Sequence, residues 1–121
     1  MTDAQAIAQR YIDLWNERDG ARRADILAAT WSSDARYTDP LATASGHADI
    51  SKLIGGVQQR FPKFSFALIG KADGFGDHVR FSWALGPKGA DAPIKGTDFA
   101  FVEGGKFKSV TGFLDQVPQA A

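Results

Sequence analysis

The chain contains no cysteine, which excludes disulfides and thiolate-held metals. Histidine occurs only twice, so an all-protein transition-metal site is not expected, and no cofactor is assigned. Neither sign of charge is in excess: 14 Lys and Arg balance 14 Asp and Glu. Such a neutral chain lacks the cationic surface that neutralises phosphates, so nucleic acid is not an expected partner. No apolar run approaches a membrane span, and no membrane partner is expected. The segment after Met1-Thr2-Asp3 is polar and patterned, unlike an export leader, so the expected location is cytoplasmic. Internal repeats, linkers and low-complexity segments are also missing. The 121 residues suit one domain, 1–121, able to bury a core without staples.

Aromatic residues are plentiful: nine Phe, three Trp and two Tyr. They can fill a dense core or line a pocket for a flat apolar ligand. Ile7, Tyr11, Leu14 and Trp15 recur at helical spacing and predict a helix over 3–18, with Thr2 and Gln5 as a capping box and Gly20 as the stop. A shorter helix fits 21–29, with Ile26 and Leu27 inward. Residues 35–38 read as a short strand and 41–46 as a loop. Ile50, Leu53, Ile54, Val57 and Phe61 mark a third helix that Pro62 ends.

Beyond Pro62 the period changes to two. Strands are expected around Phe64–Leu68, Val79–Leu85, Ile94–Val102 and Phe107–Leu114, with a turn over 72–77. Helices followed by hairpin-linked strands indicate an α+β class: three N-terminal helices packed on a curved antiparallel sheet. In the strand around Asp98, one face carries Ala100 and Val102 and the other Phe99 and Phe101. Helices in so short a chain cover one sheet face, so the outer face is expected to pack on a second copy as a homodimer.

Three polar residues stand out on these elements. Asp98 lies mid-strand, where a carboxyl needs a partner or a function unless its face is solvated. Tyr11 sits on the apolar stripe of the first helix, either as a core tyrosine or as a donor. Asp39-Pro40 is either simple turn chemistry or a reactive carboxylate. His47, His78 and Arg80 read first as solvated or outer-face residues. Asp115 is a weaker acid/base candidate.

Gln9-Arg10-Tyr11, Asp34-Ala35-Arg36-Tyr37-Thr38-Asp39-Pro40, Ser45-Gly46-His47-Ala48-Asp49-Ile50 and Pro93-Ile94-Lys95-Gly96-Thr97-Asp98-Phe99 stand in an order that resembles the SnoaL-like and ketosteroid isomerase-like members of the nuclear transport factor 2-like superfamily. The resemblance implies a cone-shaped, cystatin-like α+β barrel around an apolar pocket. It implies cofactor-independent acid/base chemistry, of isomerase or cyclase type, on a small apolar carbonyl compound. Asp39 would be the proton-shuttling base, and Tyr11 and Asp98 the oxyanion donors. The expected lining is Trp15, Trp31, Tyr37, Ile54, Phe81, Trp83 and Phe113. A non-catalytic ligand-binding or dimerisation domain is the alternative. An epoxide hydrolase- or dehydratase-like enzyme is a third, which an inward Arg80 beside Asp98 would favour.

Overall fold

A computed structural model describes residues 3–118. Its elements are α1 (Ala4–Asn16), α2 (Gly20–Thr30), β1 (Trp31–Thr38), β2 (Thr43–Ser45), α3 (Gly46–Arg60), β3 (Phe64–Phe75), β4 (His78–Pro87), β5 (Ile94–Glu103) and β6 (Lys106–Gln116).

The apolar stripe of α1 buries Ala8, Tyr11, Ile12, Leu14 and Trp15. Asp3 caps the helix by accepting from the Ala6 amide at 3.1 Å. Thr2, half of the expected capping box, lies outside the described residues. Gln5 Oε1 instead accepts from the Ala72 amide at 3.0 Å and ties α1 to β3. The helix ends at Asn16, and Gly20 opens α2 rather than stopping α1. The cause is Asp19, whose Oδ1 accepts from the Ala21 and Arg22 amides at 2.9 and 3.3 Å and so starts a new helix.

The α1 C-terminus runs into the interior, where bare carbonyls are costly. Gln58 of α3, itself buried, donates from Nε2 to the carbonyls of Trp15 (3.0 Å) and Glu17 (2.8 Å). Arg23 of α2 donates from Nη1 to Glu17 O (3.0 Å) and Gln58 Oε1 (2.9 Å). Two polar side chains thus join all three helices. Pro62 follows the cap of α3 at Phe61, as expected from its backbone restriction.

The six strands form one sheet in the order β2-β1-β6-β5-β4-β3. All neighbouring pairs are antiparallel except β1 and β6, which run parallel. The sheet is therefore mixed. No hairpin joins β1 to β6, and the long connection between them leaves their relative direction free. β1 starts four residues earlier than its sequence signal, at Trp31, and the segment read as a loop contains β2. β3 extends through Ala72 to Phe75, because Asp73, Gly74 and Phe75 pair with Arg80, Val79 and His78. Gly104 and Gly105, both left-handed at φ 59 and 79, close the β5–β6 hairpin.

Strand phase places Val79, Phe81, Trp83 and Leu85 of β4 on the buried face, with Gly96, Asp98 and Ala100 of β5. His78, Arg80 and Phe99 lie exposed on the opposite face. α1 packs on β3 and β4, and α3 on β1, so the helices close over the inner face alone. No helix among the described residues is long and apolar enough to cross a membrane.

Removing the side chain that closes the α1 terminus strands two carbonyls and one guanidinium contact. Gln58→Ala is therefore expected to lower stability by about 2–3 kcal/mol in urea unfolding. Its exposed neighbour, as Gln59→Ala, should change stability by no more than about 0.5 kcal/mol.

Candidate active site

Between α1, α3 and the inner sheet face lies a cavity of about 260 Å³. Its wall is mostly aromatic and aliphatic, and Tyr11, Asp39 and Asp98 all contribute to it. These three residues, 87 positions apart at the extremes, reach one space because α1 crosses the sheet over β4 while β1 and β6 run side by side.

Asp98 is 1% exposed. The indole Nε1 of Trp83 donates to its Oδ1 at 3.0 Å. Two glycines make this arrangement possible. A Cβ on Gly96 would stand 2.3 Å from Trp83 Cζ2, so a bare backbone lets the indole lie across β5. A Cβ on Gly112 would stand 2.8 Å from Asp98 Oδ1 and 3.5 Å from the Cβ of Asp39. The two acidic residues thus face each other across the Gly112 backbone. Burial pushes the Asp98 carboxyl up to about 6, against the pull of hydrogen bonding from Tyr11 and Trp83, and the charges of Asp39 and Asp115 add to the rise. Burial, reinforced by the Asp98 charge, holds the Tyr11 hydroxyl well above its usual range. Tyr37 is raised for the same two reasons. Both phenols therefore stay protonated and serve as donors.

Asp39 sits in a different setting. It is half-buried at the cavity wall, at the end of β1. Tyr37 donates to its Oδ2 at 2.7 Å, and the amides of Leu41 and Ala42 donate to Oδ1, each at 2.8 Å. The last two bonds are turn chemistry, while the residue also lines the cavity, where its hydrogen-bond partner Tyr37 stands beside it. Three donors thus converge on the two oxygens of this carboxyl.

Of the expected lining, Trp15, Tyr37, Trp83 and Phe113 border the cavity. Trp31, Ile54 and Phe81 do not. Trp31 and Phe81 pack behind Tyr11, with ring centroids 6.1 and 4.9 Å from it, so the tyrosine separates them from the open space. Ile54 is fully buried in the core, while Val57 and Arg60, further along α3, reach the cavity. His47 Nε2 contacts the carbonyls of Trp31 and Ser32 at 2.9 and 3.0 Å, which fixes the proton on that nitrogen. Arg80 pairs with Asp73 at 2.9 Å on the outer face. Asp115 accepts from Thr97 Oγ1 at 2.6 Å outside the cavity and acts on Asp98 only through its charge.

Sequence reasoning treats Trp83 and Tyr37 as lining alone and misses that each donates to a carboxyl. For Trp83 a signal exists: Gly96, unexplained within a strand, pairs directly with it.

The raised Asp98 carboxyl makes stability depend on pH. Its ordinary value is 3.8, so the folded chain holds this proton more tightly than the unfolded chain. Stability is then lost as pH rises from about 4 to about 6, by roughly 3 kcal/mol in all. Asp98→Asn removes the titrating group. In urea unfolding, the variant is expected to gain on the wild type by up to about 3 kcal/mol between pH 4 and 7. A difference that does not change with pH would contradict the buried-carboxyl account.

The family model described as the SnoaL-like domain matches residues 8–110. Among solved structures, a candidate isomerase of the SnoaL-like family from Agrobacterium tumefaciens str. C58 is 39% identical, with 95% of this chain and 99% of that one covered and a TM-score of 0.90. A candidate ketosteroid isomerase from Kribbella flavida DSM 17836 is 22% identical over 98% of this chain and 82% of that one, at a TM-score of 0.70. A candidate SnoaL-like polyketide cyclase from Jannaschia sp. CCS1 is 14% identical over 95% and 90% of the two chains, also at 0.70. The last two likenesses show the fold alone. No curated protein matches the chain. The match along most of the chain and the 39% identical structure agree with the helix-wrapped mixed sheet: the chain belongs to the SnoaL-like domain family.

Proposed function

We propose that the cavity catalyses proton transfer next to the carbonyl of a small apolar compound, as an isomerase or cyclase, without a cofactor. The observation that carries this reading is a pair of carboxyls in one apolar space with unlike surroundings, one deeply buried and raised, the other half-buried and met by three donors. Such pairs divide acid and base roles between them. The names borne by the Agrobacterium, Kribbella and Jannaschia proteins belong to the same reaction classes.

Asp39, ionised, would take the proton from the carbon beside the carbonyl. The electron pair of that C–H bond moves into the forming enolate, whose oxygen accepts hydrogen bonds from Tyr11 and from Asp98 in its neutral form. A bound ligand displaces water from the cavity, which favours that neutral form further. Return of the proton from Asp39 to a different carbon completes an isomerisation. Attack of the enolate carbon on a second carbonyl of the same molecule completes a cyclisation, with the proton passing to the new alkoxide.

A ligand-binding domain without catalysis is the second reading. It is favoured by the same three donors on Asp39, which already engage both of its carboxylate oxygens. The hydrolase-like reading loses its arginine, since Arg80 is on the outer face. On that face Phe75 and Phe99 are 75% and 44% exposed, and they belong to the surface proposed to pack on a second copy.

Two experiments test these proposals. Deuterium uptake beside the carbonyl of 2-tetralone, followed by NMR in D₂O, should fall about 100-fold in Asp39→Asn, with tetralone affinity unchanged. Unchanged uptake contradicts the role of Asp39. Tetralone binding without uptake in the wild type selects the second reading. For the dimer, Phe99→Glu should convert the sedimenting species from dimer to monomer. A wild type that is monomeric at high micromolar concentration contradicts the interface.

A further inference from the structure

Away from the cavity, α2 and α3 leave a second concavity of about 800 Å³ on the molecular surface. Among the described residues that line it, Arg23, His47 and Lys52 are basic and none is acidic. The local imbalance stands out in a chain of zero net charge.

Arg23 is the unusual member, because the residue is only 9% exposed and forms no ion pair among the described residues. Nε donates to Ser51 Oγ at 3.1 Å, and Nη1 is taken up by Glu17 O and Gln58 Oε1. Nη2 makes no hydrogen bond within the described residues. Neutral partners take up two of the three guanidinium nitrogens, and the third is left open to the concavity with its donors available to an anion. Ser51 Oγ, having accepted from Nε, keeps its own proton to donate.

The wall of α3 beside Arg23 is bare backbone. Gly55 and Gly56 are adjacent in the middle of the helix, where each costs about 1 kcal/mol relative to alanine. A Cβ on Gly55 would stand 3.1 Å from Arg23 Nη2, so the guanidinium explains that glycine. A Cβ on Gly56 would meet nothing within 4 Å, so no protein contact explains the second. Its missing side chain leaves that part of the concavity's lining open.

We propose that this α2–α3 concavity binds a phosphate group, either as free phosphate or as the monoester of a small molecule. Arg23 Nη2 and the Ser51 hydroxyl donate to its oxygens, Lys52 supplies a second positive charge, and the bare backbone at Gly56 leaves room for the anion. The site is separate from the cavity and does not depend on the reading of Asp39.

The test is an ¹⁵N NMR titration with inorganic phosphate and with phenyl phosphate, each against sodium chloride at matched ionic strength. Saturable shifts are expected at the Arg23 Nε–Hε group and at the amides of residues 51–56, with chloride giving none. Gly56→Glu places a carboxylate at the mouth and improves helix propensity, so it should fold at least as stably yet bind phosphate about tenfold more weakly or worse. Gly56→Ala, which adds one uncharged methyl at the mouth, should weaken binding less than Gly56→Glu does. Tighter saturation by phenyl phosphate assigns an ester as ligand, and equal or weaker saturation assigns the free ion. Non-saturating shifts, or an affinity that Gly56→Glu leaves unchanged, would overturn the proposal.

Discussion

The inner architecture turns on the hydrogen bond from the Trp83 indole to Asp98. It sets a carboxyl, 1% exposed, into a space walled mostly by aromatic and aliphatic side chains. A carboxyl in that position is tolerated only if donors meet it and its charge can be relinquished. Much of the nearby chain follows from this demand. Gly96 is needed for the indole to cross β5, and Gly112 for the carboxyl to stand over β6. Tyr11, buried by the α1 stripe, brings a hydroxyl to the same group.

The aromatic residues form two layers that divide the labour. Trp31, Phe81 and Phe107 pack around the far side of Tyr11 and hold it in place. Trp15, Tyr37 and Trp83 face the cavity on its near side. The polar groups of the site are thus held from behind by rigid rings rather than by loops, which is the condition for a preorganised donor set. The joint of α1, α2 and α3 through Gln58 and Arg23 steadies the other wall in a comparable way.

The chain order of elements was legible wherever one face carries a periodic pattern. The stripe Ile7, Tyr11, Leu14, Trp15 and the alternation Val79, Phe81, Trp83, Leu85 each lead directly to α1 and β4. The placement of Tyr11, Asp39 and Asp98 around one space came from a resemblance of motifs, since nothing local in the chain brings them together. Where pairing decides, sequence was a poorer guide. β2 is three small residues with no signal of their own, made a strand by their register with Arg36, Tyr37 and Thr38. Gly20 reads as a helix stop because the capping bonds of Asp19 are invisible before the fold exists. Trp31 and Phe81 cannot be told from Trp15 and Trp83 by composition or period, because only the depth of Tyr11 separates wall from core.

The central claim is that Asp98 is a buried acid at the wall of the cavity proposed to take the ligand. The most direct measurement is the titration of the Asp98 carboxyl carbon by ¹³C NMR, with and without saturating 2-naphthol. The account predicts a midpoint near 6 in the free protein that moves upward when the ligand displaces water. A midpoint in the ordinary aspartate range that the ligand leaves unmoved would contradict it.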